Sequence, residues 1–249
     1  MKRPMCLKPI VLLGAALLVA LAAAAGQPTS SAPLEEGIAV AIVYDTSGSM
    51  SDAVRDSGGR MSPKYVVASR ALTAIVDRLQ AVATNTAAGT SRKLEAGLFI
   101  FSAQNASEAV KFGPFDADAL RGWMRGFSRP NGPTPLGETV RAAGQAVLAS
   151  RLSRKHVLVL TDGVNTAGRE PADTMPKVQA DAARYGTVVG FHFVAFDVKA
   201  NEFARVKRLG ATVVGAADEQ QLNRQLEFIL EEKILLEAEE PAAGGKSRK

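Results

Sequence analysis

Residues 38–50 read IAVAIVYDTSGSM. The run Ile38–Tyr44 is apolar without interruption, the pattern of a strand covered on both faces rather than one. It stops at a carboxylate, Asp45, and turns into the small polar loop Thr46-Ser47-Gly48-Ser49-Met50. A buried strand that delivers an acid and two serines to its carboxyl end is the feature around which the rest of the chain is read.

The same grammar repeats outward. Leu94–Phe101 and Val157–Thr161 are further apolar runs, the latter ended by Asp162-Gly163, and Thr187–Phe196 is another. Ala109–Phe112 and Thr212–Val214 read as short strands. Between them lie segments of helical spacing. Val67, Leu72, Ile75, Val76 and Leu79 form one stripe, with Ser62 as its cap and Pro63 at its first turn. Asp116–Phe127 carries the sole tryptophan, Trp123, read as a packing residue. Leu136, Val140, Ala143 and Val147 follow Pro135; Ala172–Tyr185 and Asn201–Leu209 are helical; Asp218 and Gln221 make a capping box before Leu222, Leu226, Ile229 and Leu230.

Apolar strands alternating with amphipathic helices predict an α/β fold: a Rossmann-like, doubly wound, mostly parallel sheet with helices on both faces. Ligands of such sheets bind beyond the carboxyl ends of the strands, where the strand order reverses. That rule points to the loops after Tyr44 and Thr161.

Composition narrows the function classes. The chain has 249 residues, 47% hydrophobic and 22% charged, an ordinary globular balance. Its net charge of +5 is uneven. Three of the 30 basic residues, Lys2, Arg3 and Lys8, lie in an acid-free N-terminus, leaving 27 against 25 acidic. With no basic stretch interleaved with aromatics, nucleic acid is not an expected partner. Residues 1–25 combine that basic start with an apolar run and Ala23-Ala24-Ala25, which reads as a secretory signal peptide. An uncleaved membrane anchor is the alternative, because the run reaches the lower limit for spanning a bilayer. The expected organisation is leader 1–25, linker 26–36, one domain over 37–238 and a flexible tail 239–249. The expected location is secreted or periplasmic, in the cell envelope. The one cysteine, Cys6, falls in the leader, so the mature chain would lack thiol nucleophiles, Cys-type zinc sites and disulfides.

The chemistry-bearing residues sit on three loops. Asp45, Ser47 and Ser49 follow the first strand, Asp162 follows the central one, and Thr134 lies in Gly132-Pro133-Thr134-Pro135 before a helix. Two carboxylates and three hydroxyls, without His or Cys, form an all-oxygen set suited to a hard divalent cation, Mg²⁺ or Mn²⁺. Gly48 is read as the residue that lets the loop turn tightly enough to aim Ser47 and Ser49 together.

These residues resemble the von Willebrand factor type A (VWA) family with its metal-ion-dependent adhesion site (MIDAS). The family pattern is D-x-S-x-S, a distant threonine and a distant aspartate. Asp45, Ser47 and Ser49 match the first part, Thr134 the second and Asp162 the third, over a likeness spanning residues 37–235. The resemblance implies a VWA fold and a non-catalytic adhesion module. In it the five residues hold a divalent cation, and a protein partner completes the shell with an Asp or Glu carboxylate. Gly48, Met50 and Gly163 would line the partner-binding rim. A membrane would be involved only through an uncleaved leader.

One departure stands out. Ser51–Met61 (SDAVRDSGGRM) separates the motif from the first helix, where family members enter it sooner. It reads as a specificity loop or a surface insertion, and Asp52 and Asp56 within it offer carboxylates for a second cation.

Competing readings are a metal-stabilised structural or assembly role in the envelope and a Mg²⁺-dependent hydrolase. Phosphatases of the haloacid dehalogenase type carry a second aspartate two residues after the first, and here that position is Ser47. His156 and His192 fall in strands, where a catalytic triad finds no support.

Overall fold

A computed structural model describes residues 34–84 and 92–236. The expected leader, most of the linker, Cys6 and the tail lie outside the described residues.

The strand that decided the reading, β1 (Glu35–Tyr44), is the third of six in one sheet. Its neighbours are β4 (Leu94–Ser102) on one side and β6 (Leu152–Thr161) on the other, both parallel to it. Beyond β6 come β7 (Gly190–Phe196) and β8 (Thr212–Ala216), also parallel. β5 (Asn105–Pro114) closes the far edge and is the one antiparallel member. The order is β5-β4-β1-β6-β7-β8, so the chain leaves β1 one way and returns to β6 on the other side. The switch point therefore falls between the two loops expected to carry the site.

Alternate residues of β1 enter opposite cores. Ile38, Val40, Ile42 and Tyr44 pack under α1 (Lys64–Thr84), α2 (Ala117–Gly126) and α6 (Glu219–Ile229). Ala39, Ala41 and Val43 face α3 (Leu136–Ala149), α4 (Pro171–Arg184) and the short α5 (Ala204–Arg208). The large side chains fill one layer, and the small ones admit helix α3 close to the sheet. A Cβ at Gly144 of α3 would stand 2.8 Å from a Val178 methyl, so the α3–α4 contact requires glycine. Burying each large aliphatic side chain contributes roughly 1.5–3 kcal/mol. Trp123 packs as read, edge-on to Tyr44 and stacked on Phe127.

Three local expectations are corrected. The edge strand β5 begins at Asn105 and ends at Pro114, well beyond 109–112, because pairing with β4 supplies hydrogen bonds that a weak sequence pattern does not advertise. Ser62 and Pro63 do not open the first helix. They belong to a hairpin, β2 (Ala53–Arg55) with β3 (Met61–Pro63), and the helix starts at Lys64. The supposed polar loop is thus an ordered ribbon with Val54 in the core. At the other end of the chain Asp218 caps α6 as read, its Oδ1 accepting the Gln221 N–H at 2.7 Å. The Gln221 carboxamide oxygen, however, reaches past the cap and accepts the Ala217 N–H at 3.2 Å, so the reciprocal half of the box is made one residue early. The helix continues into π-helical turns at Leu230–Leu235. Among the described residues no helix is long and apolar enough to cross a membrane.

Candidate metal centre

The five residues singled out come together at the carboxyl end of the sheet. β1 ends at Tyr44, and Asp45 is fully buried directly beyond it. Its Oδ1 accepts the Ser47 N–H at 2.8 Å, which folds the loop back on its own first residue. The two serines aim the same way, with Oγ atoms 3.1 Å apart. Ser49 Oγ donates to Asp162 Oδ1 at 2.8 Å, joining the loops after β1 and β6. Thr134 belongs to the same group, for a Cβ built on Gly163 would stand 3.9 Å from both Ser49 Oγ and Thr134 Oγ1.

Backbone bonds hold the three loops in register. Asn131 N–H donates to Thr46 O at 2.9 Å and Gly48 N–H to Gly132 O at 3.2 Å. Thr134 N–H donates to Thr166 Oγ1 at 2.8 Å. Thr46 pins the first loop to β4, donating to Phe101 O at 3.1 Å and accepting from Phe101 N–H at 3.2 Å. The glycine that the geometry requires is Gly132, with φ +83°, not Gly48, whose backbone is not left-handed. Gly48 is exposed and Gly163 half-buried. Met50 is not at the rim. It is fully buried in the α1 core, because the turn Gly48–Ser51 points its side chain inward.

Three contributors escaped the sequence reading. Thr161 Oγ1 donates to Asp45 Oδ2 at 2.6 Å, so both oxygens of Asp45 are held. Lys64, the first residue of α1, places Nζ 3.0 Å from Asp162 Oδ2. The same Nζ lies 3.0 Å from Asp197 Oδ2, in the loop after β7. The signal for Asp197 was available, since an acid directly after an apolar parallel strand next to β6 must reach the same rim. Lys64 gave no such signal, because nothing local distinguishes it from a solvated helix lysine.

The second-cation expectation for Asp52 and Asp56 meets a different use of Asp56. Its carboxylate accepts the N–H groups of Gly58 (3.0 Å) and Arg60 (2.8 Å) and the Ser62 hydroxyl (2.9 Å). These bonds organise the hairpin turn and hold its pKa below the ordinary aspartate value. Glu219, at the start of α6, accepts the Ser57 N–H at 2.7 Å and both arms of Arg70, at 2.8 and 3.0 Å. The ribbon is thereby moored to the last helix.

Burial, reinforced by the charge of Asp162, pushes the Asp45 carboxyl up to about 6. Two carboxylates that feel each other's charge favour a nearby positive charge. The donors around them are all hard oxygens, the chemistry that suits Mg²⁺ or Mn²⁺. Among the described residues no three His, Cys, Asp or Glu side chains form a metal-binding group, so any cation here would depend on hydroxyls as well as acids.

No protein-family model matches the sequence, and no curated protein does. Solved structures do match in shape. A mutant of the PilB minor pilin from Streptococcus sanguinis aligns at 16% identity and TM-score 0.60, over 83% of this chain and 62% of that one. Proximal thread matrix protein 1 from the mussel byssus, with a zinc-occupied MIDAS motif, aligns at 15% identity and TM-score 0.56, over 80% and 48%. The SpRpn10 VWA domain aligns at 11% identity and TM-score 0.55, over 78% and 94%. The fold is of the VWA type. The chain spans 62% of the pilin and 48% of the byssus protein, and identities this low speak for the fold alone.

Proposed function

We propose that this VWA-type chain is an exported, non-catalytic binding module that recognises a protein partner through a divalent cation, Mg²⁺ or Mn²⁺. The observation that carries the reading is the convergence of Asp45, Ser47, Ser49, Thr134 and Asp162 from three loops onto one rim. Asp45 and Asp162 would neutralise the ion, and the three hydroxyls would complete most of its shell. The bound ion would supply a Lewis-acidic position for an Asp or Glu carboxylate of the partner. The protein's own part is to hold its donors still: Asp45 by Ser47 and Thr161, Asp162 by Ser49 and Lys64.

A hydrolytic role gains no support from the residues at the rim. Both histidines are buried within β6 and β7, hydrogen-bonded to each other at 3.2 Å, and Ser47 stands where a phosphatase would need its second acid. Export rests on the leader-like residues 1–25, and a mature N-terminus after Ala25, read by mass spectrometry of the secreted or envelope protein, checks it.

The deciding experiment is a pull-down from the envelope fraction of the source organism in Mg²⁺, in EDTA and with Asp45→Ala. A partner retained only by the wild-type protein in Mg²⁺ is expected. Retention indifferent to EDTA and to Asp45→Ala would reject metal-bridged recognition and leave a structural role for the site.

A further inference from the structure

The rim carries more negative charge than the five-residue pattern accounts for, and one buried cation answers it. Asp45, Asp162 and Asp197 stand at the ends of the adjacent strands β1, β6 and β7. Lys64 Nζ bridges the last two at 3.0 Å each, with its side chain 7% exposed. Removing an ammonium from water is costly unless opposite charges meet it. Here the carboxylates of Asp162 and Asp197 meet it from two sides.

The arrangement is built rather than incidental. The β2–β3 hairpin decides where α1 begins, and the Lys64 N–H donates to the Asp52 carbonyl at 2.8 Å. Asp197 has φ +53°, a region that aspartate enters more readily than most residues with a side chain. Its N–H is fixed to Ala216 O at 2.7 Å, so the strand ends present its carboxylate to Lys64.

We propose that Lys64 is an intramolecular counter-cation that sets the divalent-ion affinity of this site. It engages Asp162 Oδ2, while Oδ1 stays on the Ser49 hydroxyl, among the groups that would hold an ion. Its own charge would repel an ion held by Asp162 and the hydroxyls. The site therefore keeps its shape without an ion and takes one weakly. A partner's carboxylate offsets the repulsion, so ion and partner bind each other's complex more tightly than either binds alone. This inference rests on the reading of Asp45, Ser47, Ser49, Thr134 and Asp162 as a cation site.

The test is Mn²⁺ titration followed by electron paramagnetic resonance of the free ion. It compares the wild-type protein with Lys64→Met, Lys64→Gln, Lys64→Arg and Asp45→Ala. Removing a unit charge at this range should tighten Mn²⁺ binding about tenfold or more in Lys64→Met and Lys64→Gln. Lys64→Arg, which keeps the charge, should stay within about threefold of wild type, and Asp45→Ala should abolish binding. A Lys64→Met protein that folds in Mn²⁺ but not in EDTA also supports the proposal, because the ion then replaces the lost charge. If it folds in neither, Lys64→Gln, which keeps a donor for Asp162, decides. Wild-type binding that neither neutral variant tightens overturns the role of Lys64 and leaves the metal reading standing. No Mn²⁺ binding by wild type, Lys64→Met or Lys64→Gln overturns the metal reading itself.

Discussion

Two lysines are buried to nearly the same degree at opposite ends of the sheet. Lys64, at the carboxyl rim, is 5% exposed, and Lys155, near the start of β6, is 3% exposed. Lys64 faces two carboxylates. Lys155 Nζ donates to the carbonyls of Ser150 and Leu152, at 2.6 and 2.7 Å. The first is held above the ordinary lysine pKa, and the second is pushed below it by burial, with only Glu95 pulling the other way. Equal burial thus yields opposite electrostatics. Carbonyl dipoles satisfy hydrogen bonds but do not repay the lost hydration of a charge, whereas carboxylates do. At the rim a buried ammonium meets carboxylates, and near the start of β6 one meets only carbonyls.

The largest effect expected from this contrast is at Lys64. Lys64→Met should cost about 3–5 kcal/mol of unfolding free energy in EDTA, because it leaves Asp162 buried beside Asp45 with no cation. Lys155→Met should cost less, about 1–3 kcal/mol, since it strands two carbonyls but breaks no charge pair. Urea titrations of the two variants compare them directly, and equal losses would break the comparison.

The buried pair His156 and His192, within β6 and β7, makes a pH prediction. Burial, then the neighbouring His192 and Arg154, lowers His156 to about 3; burial, then Lys233, lowers His192 to about 4. Unfolded, both would titrate near 6.5. Below that pH the unfolded chain takes up protons that the folded chain refuses, so stability should fall as pH drops from about 6.5 towards 4. Each histidine should account for a loss on the order of 2 kcal/mol between pH 6.5 and 4.5. Denaturation at those two pH values should show a shallower fall in His192→Leu than in wild type. Identical slopes would mean the pair is not held neutral.

Smaller effects sharpen the picture of the rim. Thr46→Val removes both bonds to Phe101 and should cost about 1–2 kcal/mol, read as a lowered urea midpoint. Glu219→Gln weakens the mooring of the hairpin. Because Arg70 is about half exposed, the global loss should stay below about 1 kcal/mol. Its signature is local: faster hydrogen exchange at the Ser57 amide, with core amides unchanged.

The legible part of this protein was the part written in periodicity. Ile38–Tyr44, Val157–Thr161 and the α1 stripe declared themselves because burial on both faces, or on one helical face, demands apolar residues in order. The acids and hydroxyls at the strand ends were legible for the same reason, since strand direction in a parallel sheet dictates which rim their loops reach. The β2–β3 hairpin reads as a loop in the sequence because its order comes from Asp56 and Glu219, whose polar bonds leave no apolar pattern. Met50 gives no sign of its burial in the sequence because a short turn, not periodicity, decides its direction.

The sequence by itself therefore determined the alternation of strands and helices, the parallel sheet and the five oxygen-bearing residues at its rim. Only the tertiary structure decided what neutralises them. Lys64 and Asp162 are 98 residues apart, and neither carries a local mark of the other. Whether a lysine is a solvated surface charge or a buried counter-ion depends on the groups that packing brings to it, and packing is settled by the whole chain.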